Sequence, residues 1–298
     1  MKKLRLAIIG LGNLGRKCVD VILADQNTVL VGIVKRTVTS SDSGSKVPIV
    51  THISELEQVD VALICVPPDA VMSVAQGLLQ RGIPVVECAR FHDEAFFNHK
   101  SEIHRTALLH KVPAVVGAGC DPGALSLFRN YFALLAPHGH TETSLHTGAS
   151  LHHTLAAEGI KGVKKALATE LKSIEGTVQR YVYVELEASA DAGEVERAIV
   201  NDPLFLDEQT LVLPVPSIAE LEETNRGVLL ERHSAPADVS HCSFLLEARF
   251  DEMRLAARMM LAAAQSLPAL QAGAYSLLDL PVGALWGESR SAEEKKWV

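Results

Sequence analysis

Short apolar runs and stretches of helical periodicity alternate through the first 118 residues. Leu4–Ile9 is an apolar run, and Val19, Val21, Ile22 and Leu23 carry a helical pattern behind it. Val29–Val34 is a second run. A helical segment over Ile53–Gln58, a strand over Val59–Val66 and a helix over Ala70–Gln80 follow, then a strand over Pro84–Cys88, a helix over Asp93–His110 and a strand over Ala114–Ala118. Continuous apolar runs bounded by turn residues predict strands buried on both faces, and strands interleaved with helices predict a parallel sheet wound on both sides. Ligands of such sheets lie at the carboxyl ends of the strands. Three predicted strand ends therefore point at one crevice: "CVPPDA" (65–70), "ECARFHDE" (87–94) and "AGCDPG" (118–123).

After a helical stretch over Ala124–Leu135 the texture changes. The segment "HGHTETSLHTGASLHHT" is dense in histidine and poor in large aliphatics. His152 and His153 are adjacent and would point opposite ways in a strand, without HExxH spacing or a following acid at a ligand interval. No metal is expected; a polar loop with substrate-facing histidines is. Arg180–Glu187 alternates as a strand with one wet face, Glu194–Val200 is helical, and Thr210–Pro214, Gly227–Arg232 and Phe244–Phe250 read as further strands. Few crossovers separate them, so an open, mostly antiparallel sheet is predicted before an apolar helix over Leu255–Ala264. The fold expected is α/β: a doubly wound parallel sheet of Rossmann type plus an α+β domain. The dinucleotide domain would span residues 1–119, with the tail 273–298 packing back on it. Residues 120–272 would form a substrate-binding and dimerisation domain.

Composition narrows the function. A chain of 298 residues has room for two domains, and its formal charge of −8 without a basic stripe excludes nucleic acid as a partner. Arg5 and Arg16 interrupt the N-terminal apolar run, no small-residue cleavage site follows it, and no stretch is long enough to span a membrane. The five cysteines are odd in number and lack CxxC spacing, which points to a reducing compartment, the cytoplasm.

The chemistry begins at Gly10-Leu11-Gly12-Asn13-Leu14-Gly15, directly between a strand and a helix. In that context Gly10 makes the turn, Gly12 admits a pyrophosphate and Gly15 lets helix pack on strand, while the helix N-terminus faces the phosphates. The next strand ends in Lys35-Arg36, about 20 residues past the glycines, where chains that bind NAD place an acid against the ribose. Two cations there favour a 2′-phosphate and hence NADP(H). Cys65, Val66 and Pro67 are assigned to the cofactor as well, Pro67-Pro68 forming a rigid turn beneath the nicotinamide ribose. In "VVGAGCDPG" the Asp-Pro-Gly is ordinary turn chemistry that also delivers Asp121 to the crevice.

At this point the chain resembles the meso-diaminopimelate dehydrogenases. The resemblance rests on "AIIGLGNLGR", "VGIVKR", "AGCDPG", "GASLHHT", "GVKKAL", "QRYVYVELEASADAGEVERAI" and "GAYSLLDLP", and covers nearly the whole length. It implies NADP-dependent, reversible oxidative deamination of an amino acid, with ammonia as co-product and a homodimeric enzyme. It further implies that Asp121 faces the reacting amine, Arg180 grips a carboxylate with His241 beside it, and His153 belongs to the substrate loop. The departures concern the substrate. Ala89-Arg90 stands where the family has Tyr-Asp, and an arginine there repels an ammonium and attracts a carboxylate. Cys120 replaces a wall-forming Trp and reads as a buried small apolar residue. Glu170 takes the place of a carboxylate-binding Thr, and Asp251-Glu252 lies near an expected Asn. Cofactor binding is thus kept and substrate recognition altered. Arg90 could instead bridge to Asp93 or Glu94. A reductase of a cyclic imine or unsaturated acid, of the dihydrodipicolinate reductase type, and a non-catalytic NADPH-binding protein are the rival readings.

Overall fold

A computed structural model describes residues 3–38, 46–146, 151–172, 178–206, 209–219, 221, 225–234 and 243–286. The chain divides into two compact units, Met1–His138 with Glu252–Val298, and Gly139–Asp251.

In the first unit, β1 (Leu4–Ile9) leads through Gly12 into α1 (Asn13–Ala24), which buries Gly15, Cys18 and Ile22. Asp25 ends that helix: its carboxylate accepts from the Asn27 amide at 2.9 Å and the Thr28 hydroxyl at 3.0 Å, turning the chain into β2 (Thr28–Val34). After β3 (Ile49–Val50) the predicted helix to Gln58 is only a single 3₁₀ turn, Ile53–Glu55. A capping box starts the turn, Glu55 accepting from the amides of His52 and Thr51, and Arg5 takes the carbonyls of Gln58 and Glu57 just past it at 2.6 and 2.7 Å, drawing the segment towards β1. Then come β4 (Val61–Ile64), α2 (Pro68–Leu79) with proline in its first turn, β5 (Val85–Glu87), α3 (Asp93–Leu109), β6 (Pro113–Val115) and α4 (Ala124–Leu135).

The second unit comprises β7 (His140–His146), α5 (Leu151–Glu158), β8 (Val163–Lys172), β9 (Val178–Leu186), α6 (Ala192–Val200), β10 (Gln209–Pro214), β11 (Asn225–His233) and β12 (Ser243–Asp251). Most pairs are antiparallel, as predicted, but among the described residues they form two three-stranded sheets, β10-β9-β8 and β12-β11-β7, in place of one open sheet. β9 and β10 run parallel because α6 crosses between them. Where it is described, the histidine-rich segment is strand and helix instead of a polar loop. Residues 140–146 pair with β11, and His152 and His153 lie on α5 rather than in a strand. That helix is seated on β8, whose Ala168 amide donates to the Thr154 hydroxyl at 3.0 Å.

The chain then returns to the first unit as α7 (Glu252–Ser266), β13 (Gly273–Tyr275) and the short α8 (Val282–Leu285). The seven strands run in the order β13-β6-β5-β4-β1-β2-β3, every pair parallel. One core cluster joins Leu6, Ile8, Cys18 and Ile22 to Ala257, Met260 and Ala264 of α7; another lies under α2 and α3, around Ile64, Leu79 and Ile103. The first unit therefore extends through α4 and takes in α7, so the division falls at 138 and 251 where 119 and 272 were expected. The alanines of α7 are the reason: they let it lie close against α1 and complete that face of the sheet. Among the described residues no helix is long and apolar enough to cross a membrane.

Candidate active site

Strand order in the parallel sheet reverses between β1 and β4, and the residues following them meet at that switch. The Gly10 amide donates to Val34 O at 2.8 Å, the Cys65 amide to Ile9 O at 2.8 Å, and the Lys35 amide to Val50 O at 3.0 Å. The ends of β1, β2 and β4, carrying Gly10–Gly15, Lys35-Arg36 and Cys65-Val66-Pro67, are thereby brought together. Gly10 has φ +99°, and a Cβ on it would lie 2.6 Å from Cys65 O; one on Gly15 would lie 2.1 Å from Gly10 O. Over Gly12 there is open space to 4 Å. No side chain caps α1 and no acid stands in its first turn, so its N-terminal amides and partial positive charge face that space. An open backbone cradle at an uncapped helix N-terminus fits a pyrophosphate. Lys35 is half-buried and Arg36 exposed.

Beneath the cradle the Cys18 and Cys65 sulfurs are 3.7 Å apart. The contact with Cys18 and then burial raise the Cys65 thiol well above its ordinary range; burial and then the neighbouring Glu87 do the same for Cys88. Cys120 is buried. The raised Cys65 and Cys88 thiols therefore stay protonated and act as small apolar groups rather than nucleophiles.

The other side of the crevice is formed by the segments after β5 and β6. Arg90 pairs with Glu252 at the start of α7, not with Asp93 or Glu94. Asp121 is held from the side: Arg129, in α4, donates to Oδ1 at 2.7 Å and Oδ2 at 2.8 Å. The arginine fork was missed from sequence, although a lone cation in "ALSLFRNYFALL" after Asp-Pro-Gly is a readable signal. Gly123 has φ +135°, and a Cβ there would lie 2.1 Å from Gly119 O, so the turn that presents Asp121 requires glycine. Glu87, likewise missed, is buried at the end of β5 and accepts from the backbone of both segments.

In the second unit His153 Nε2 lies 3.2 Å from Leu204 O, and its ring stands edge-on to Phe205 at 5.1 Å. Arg180 is not on a wet face. It is 1% exposed and shares the inward face of β9 with Val182 and Val184. The ladder sets Arg180 between Glu170 of β8 and Thr210 of β10. His241 and the side chain of Glu170 lie outside the described residues.

A family model described as a CoA binding domain matches residues 1–89, the strand–glycine–helix part of the parallel sheet. Over 284 residues, 95% of either chain, the sequence is 32% identical to the meso-diaminopimelate D-dehydrogenase of Bacteroides fragilis. The chain belongs to the meso-diaminopimelate D-dehydrogenase family. Solved structures share its fold end to end. The C. glutamicum DAP dehydrogenase in complex with DAP superposes with a TM-score of 0.66 at 23% identity, covering 100% of both chains. An engineered D-amino acid dehydrogenase bound to NADP+ gives 0.64 at 22% identity, again over 100% of both. The family relationship spans both units, as the motifs quoted from each half led one to expect.

Proposed function

We propose that this chain is an NADP(H)-dependent amino-acid dehydrogenase that catalyses reversible oxidative deamination, on a substrate shifted from meso-diaminopimelate. The observation that carries the reading is the relationship to the Bacteroides fragilis enzyme over 95% of both chains. The open glycine cradle supports it. Gly10, Gly12, Asn13, Leu14 and Gly15 would hold the pyrophosphate, Lys35 and Arg36 the 2′-phosphate, and Cys65, Val66 and Pro67 the nicotinamide side. When bound, NADP⁺ supplies the acceptor for the hydride that leaves the substrate α-carbon. Amino acid, NADP⁺ and water give oxo acid, ammonium, NADPH and a proton.

The residues of the chain orient and neutralise. Asp121 faces the substrate amine; with Arg129 donating to both its oxygens it acts as a fixed anion that stabilises positive charge on nitrogen rather than as a free base. The resemblance assigns a substrate carboxylate to Arg180, which is 1% exposed in its own unit, and groups His153 and His241 with it. Arg90 arrives already paired with Glu252, so the segment after β5 presents a compensated ion pair to the substrate, with Cys120 leaving room beside it. The enzyme works as a homodimer in the cytoplasm and releases ammonia. A screen of D- and L-amino acids, diamino acids and diamino diacids with NADP⁺, read by NADPH absorbance, tests the assignment. Turnover of one class is the expected result; tight NADPH binding with no turnover of any would sink it in favour of a binding protein. Arg90→Asp in the same screen should move the preference towards diaminopimelate.

A further inference from the structure

Glu87 ends β5 with a carboxylate that is 0% exposed, and the reaction outlined above does not use it. Its Oε2 accepts from the Ala89 amide at 2.5 Å, and its Oε1 accepts from the Gly117 amide at 2.8 Å. His99 of α3 brings Nε2 to 3.3 Å from Oε1, and its ring lies tilted by 45° to Phe91, the centroids 4.7 Å apart. The Glu87 carbonyl accepts from the Ala118 amide at 2.8 Å. One residue thus ties together the segment after β5, the segment after β6 and the helix between them.

The backbone explains why a carboxylate is needed. The β5–β6 ladder ends at the pair Val86 and Val115. Beyond it Gly117 turns to φ +63°, and a Cβ there would lie 2.7 Å from Phe96, so the chain leaves strand geometry in a crowded place. Its amide can no longer reach a ladder partner, and a buried amide must find another acceptor. Ala89 bends away at the same level on the neighbouring strand. A carboxylate is acceptor-only and offers two oxygens, so one side chain serves both amides, whereas a glutamine would turn an NH₂ group on one of them.

We propose that Glu87 is a positioning residue: by holding the 88–92 and 117–121 segments in fixed register it sets the places of Arg90 and Asp121. The inference rests on the reading of those two residues as substrate-facing. Glu87→Gln should leave NADP⁺ affinity within about twofold, because the cradle belongs to β1, β2 and β4. It should lower kcat/KM for the amino acid about 100-fold, the scale of a displacement near 1 Å. A kcat/KM within about threefold of wild type, or a loss matched by an equal loss of NADP⁺ affinity, would overturn it. Amide exchange separates this idea from the assigned reaction. In Glu87→Gln the Ala89 and Gly117 amides should exchange about tenfold faster or more, while those of Gly10 and Cys65 stay as protected as in wild type. If the wild-type protein turns over no amino acid, the reaction is wrong and the exchange pattern alone decides: selective loss at Ala89 and Gly117 supports positioning, unchanged exchange refutes it. Should Glu87→Gln not fold, Glu87→Asp, which keeps the charge one methylene shorter, carries the same readings.

Discussion

A bidentate arginine–carboxylate pair is directional as well as attractive. Arg129 and Asp121 are only partly buried, 28% and 20% exposed at the side chain, so screening limits what the pair adds to stability. Its larger effect is on orientation. Arg129→Leu should therefore lower kcat/KM by about 10- to 100-fold while NADP⁺ affinity and the melting temperature change little, as fluorescence titration and calorimetry would show. A large fall in melting temperature would instead make the pair structural. The thiols give a pH prediction. Cys65 and Cys88 are held protonated in the fold, Cys65 first by Cys18 and Cys88 first by burial. Unfolding returns them to an ordinary thiol range near about 8.5. Above that pH the unfolded chain has lost thiol protons that the folded chain keeps, so stability is complete below about pH 8.5 and declines as pH rises towards the raised values. Melting curves from neutral to alkaline pH should show this decline, and Cys88→Ser should flatten it. At neutral pH both thiols should alkylate only on unfolding.

At the scale of elements, the glycines of the first strand–helix turn do different jobs. Gly15 meets Gly10 O, so Gly15→Ala forces α1 away from β1 and should destabilise the protein by about 1–3 kcal/mol or more. Gly12 has an ordinary φ of −79° and open space above it, so Gly12→Ala should keep the melting temperature and, on the proposed function, weaken NADPH binding about tenfold or more, because the methyl would occupy the path proposed for the pyrophosphate. Equal effects of the two variants on melting temperature would contradict the geometry. The turn was legible because strand, glycines and helix succeed one another in a fixed order that periodicity reveals. The segment 53–58 departs from the predicted helix: its apolar spacing is helical, but the carbonyls of Glu57 and Gln58 are taken by Arg5, about fifty residues away. Which face of β9 lies inside had no such signal: alternation shows that the faces differ, and only the packing of Val182 and Val184 on α5 and α6 says which is buried. The role of Glu87 had no local signal, since its partners at Gly117 and His99 are brought to it by the sheet and by α3.

For the molecule as a whole, the decisive feature is that the first unit is made of two pieces of chain separated by the 113 residues of the second, Gly139–Asp251. The returning piece is no appendage. Ala257, Met260, Leu261, Ala263, Ala264 and Leu267 lie in the same core as β1 and α1, and β13 is the edge strand beside β6. An isolated fragment of residues 1–138 would leave that face of a parallel sheet in water, and such sheets need cover on both faces. At about 25 cal/mol for each Å² of apolar surface left uncovered, even 200 Å² costs about 5 kcal/mol, comparable to the net stability of a domain. The fragment should therefore aggregate or remain unfolded. Joining residue 138 to residue 252 through a short glycine–serine linker should restore a folded unit that binds NADPH without any amino-acid turnover. The excised span 139–251 retains its own core of Val163, Ala166, Val182, Val184, Val195, Ile199 and Phe205. Circular dichroism, size-exclusion chromatography and NADPH fluorescence on the three chains would decide the matter. A fragment 1–138 that folds cooperatively and binds NADPH as tightly as the linked chain would show that α7 covers no essential part of the core.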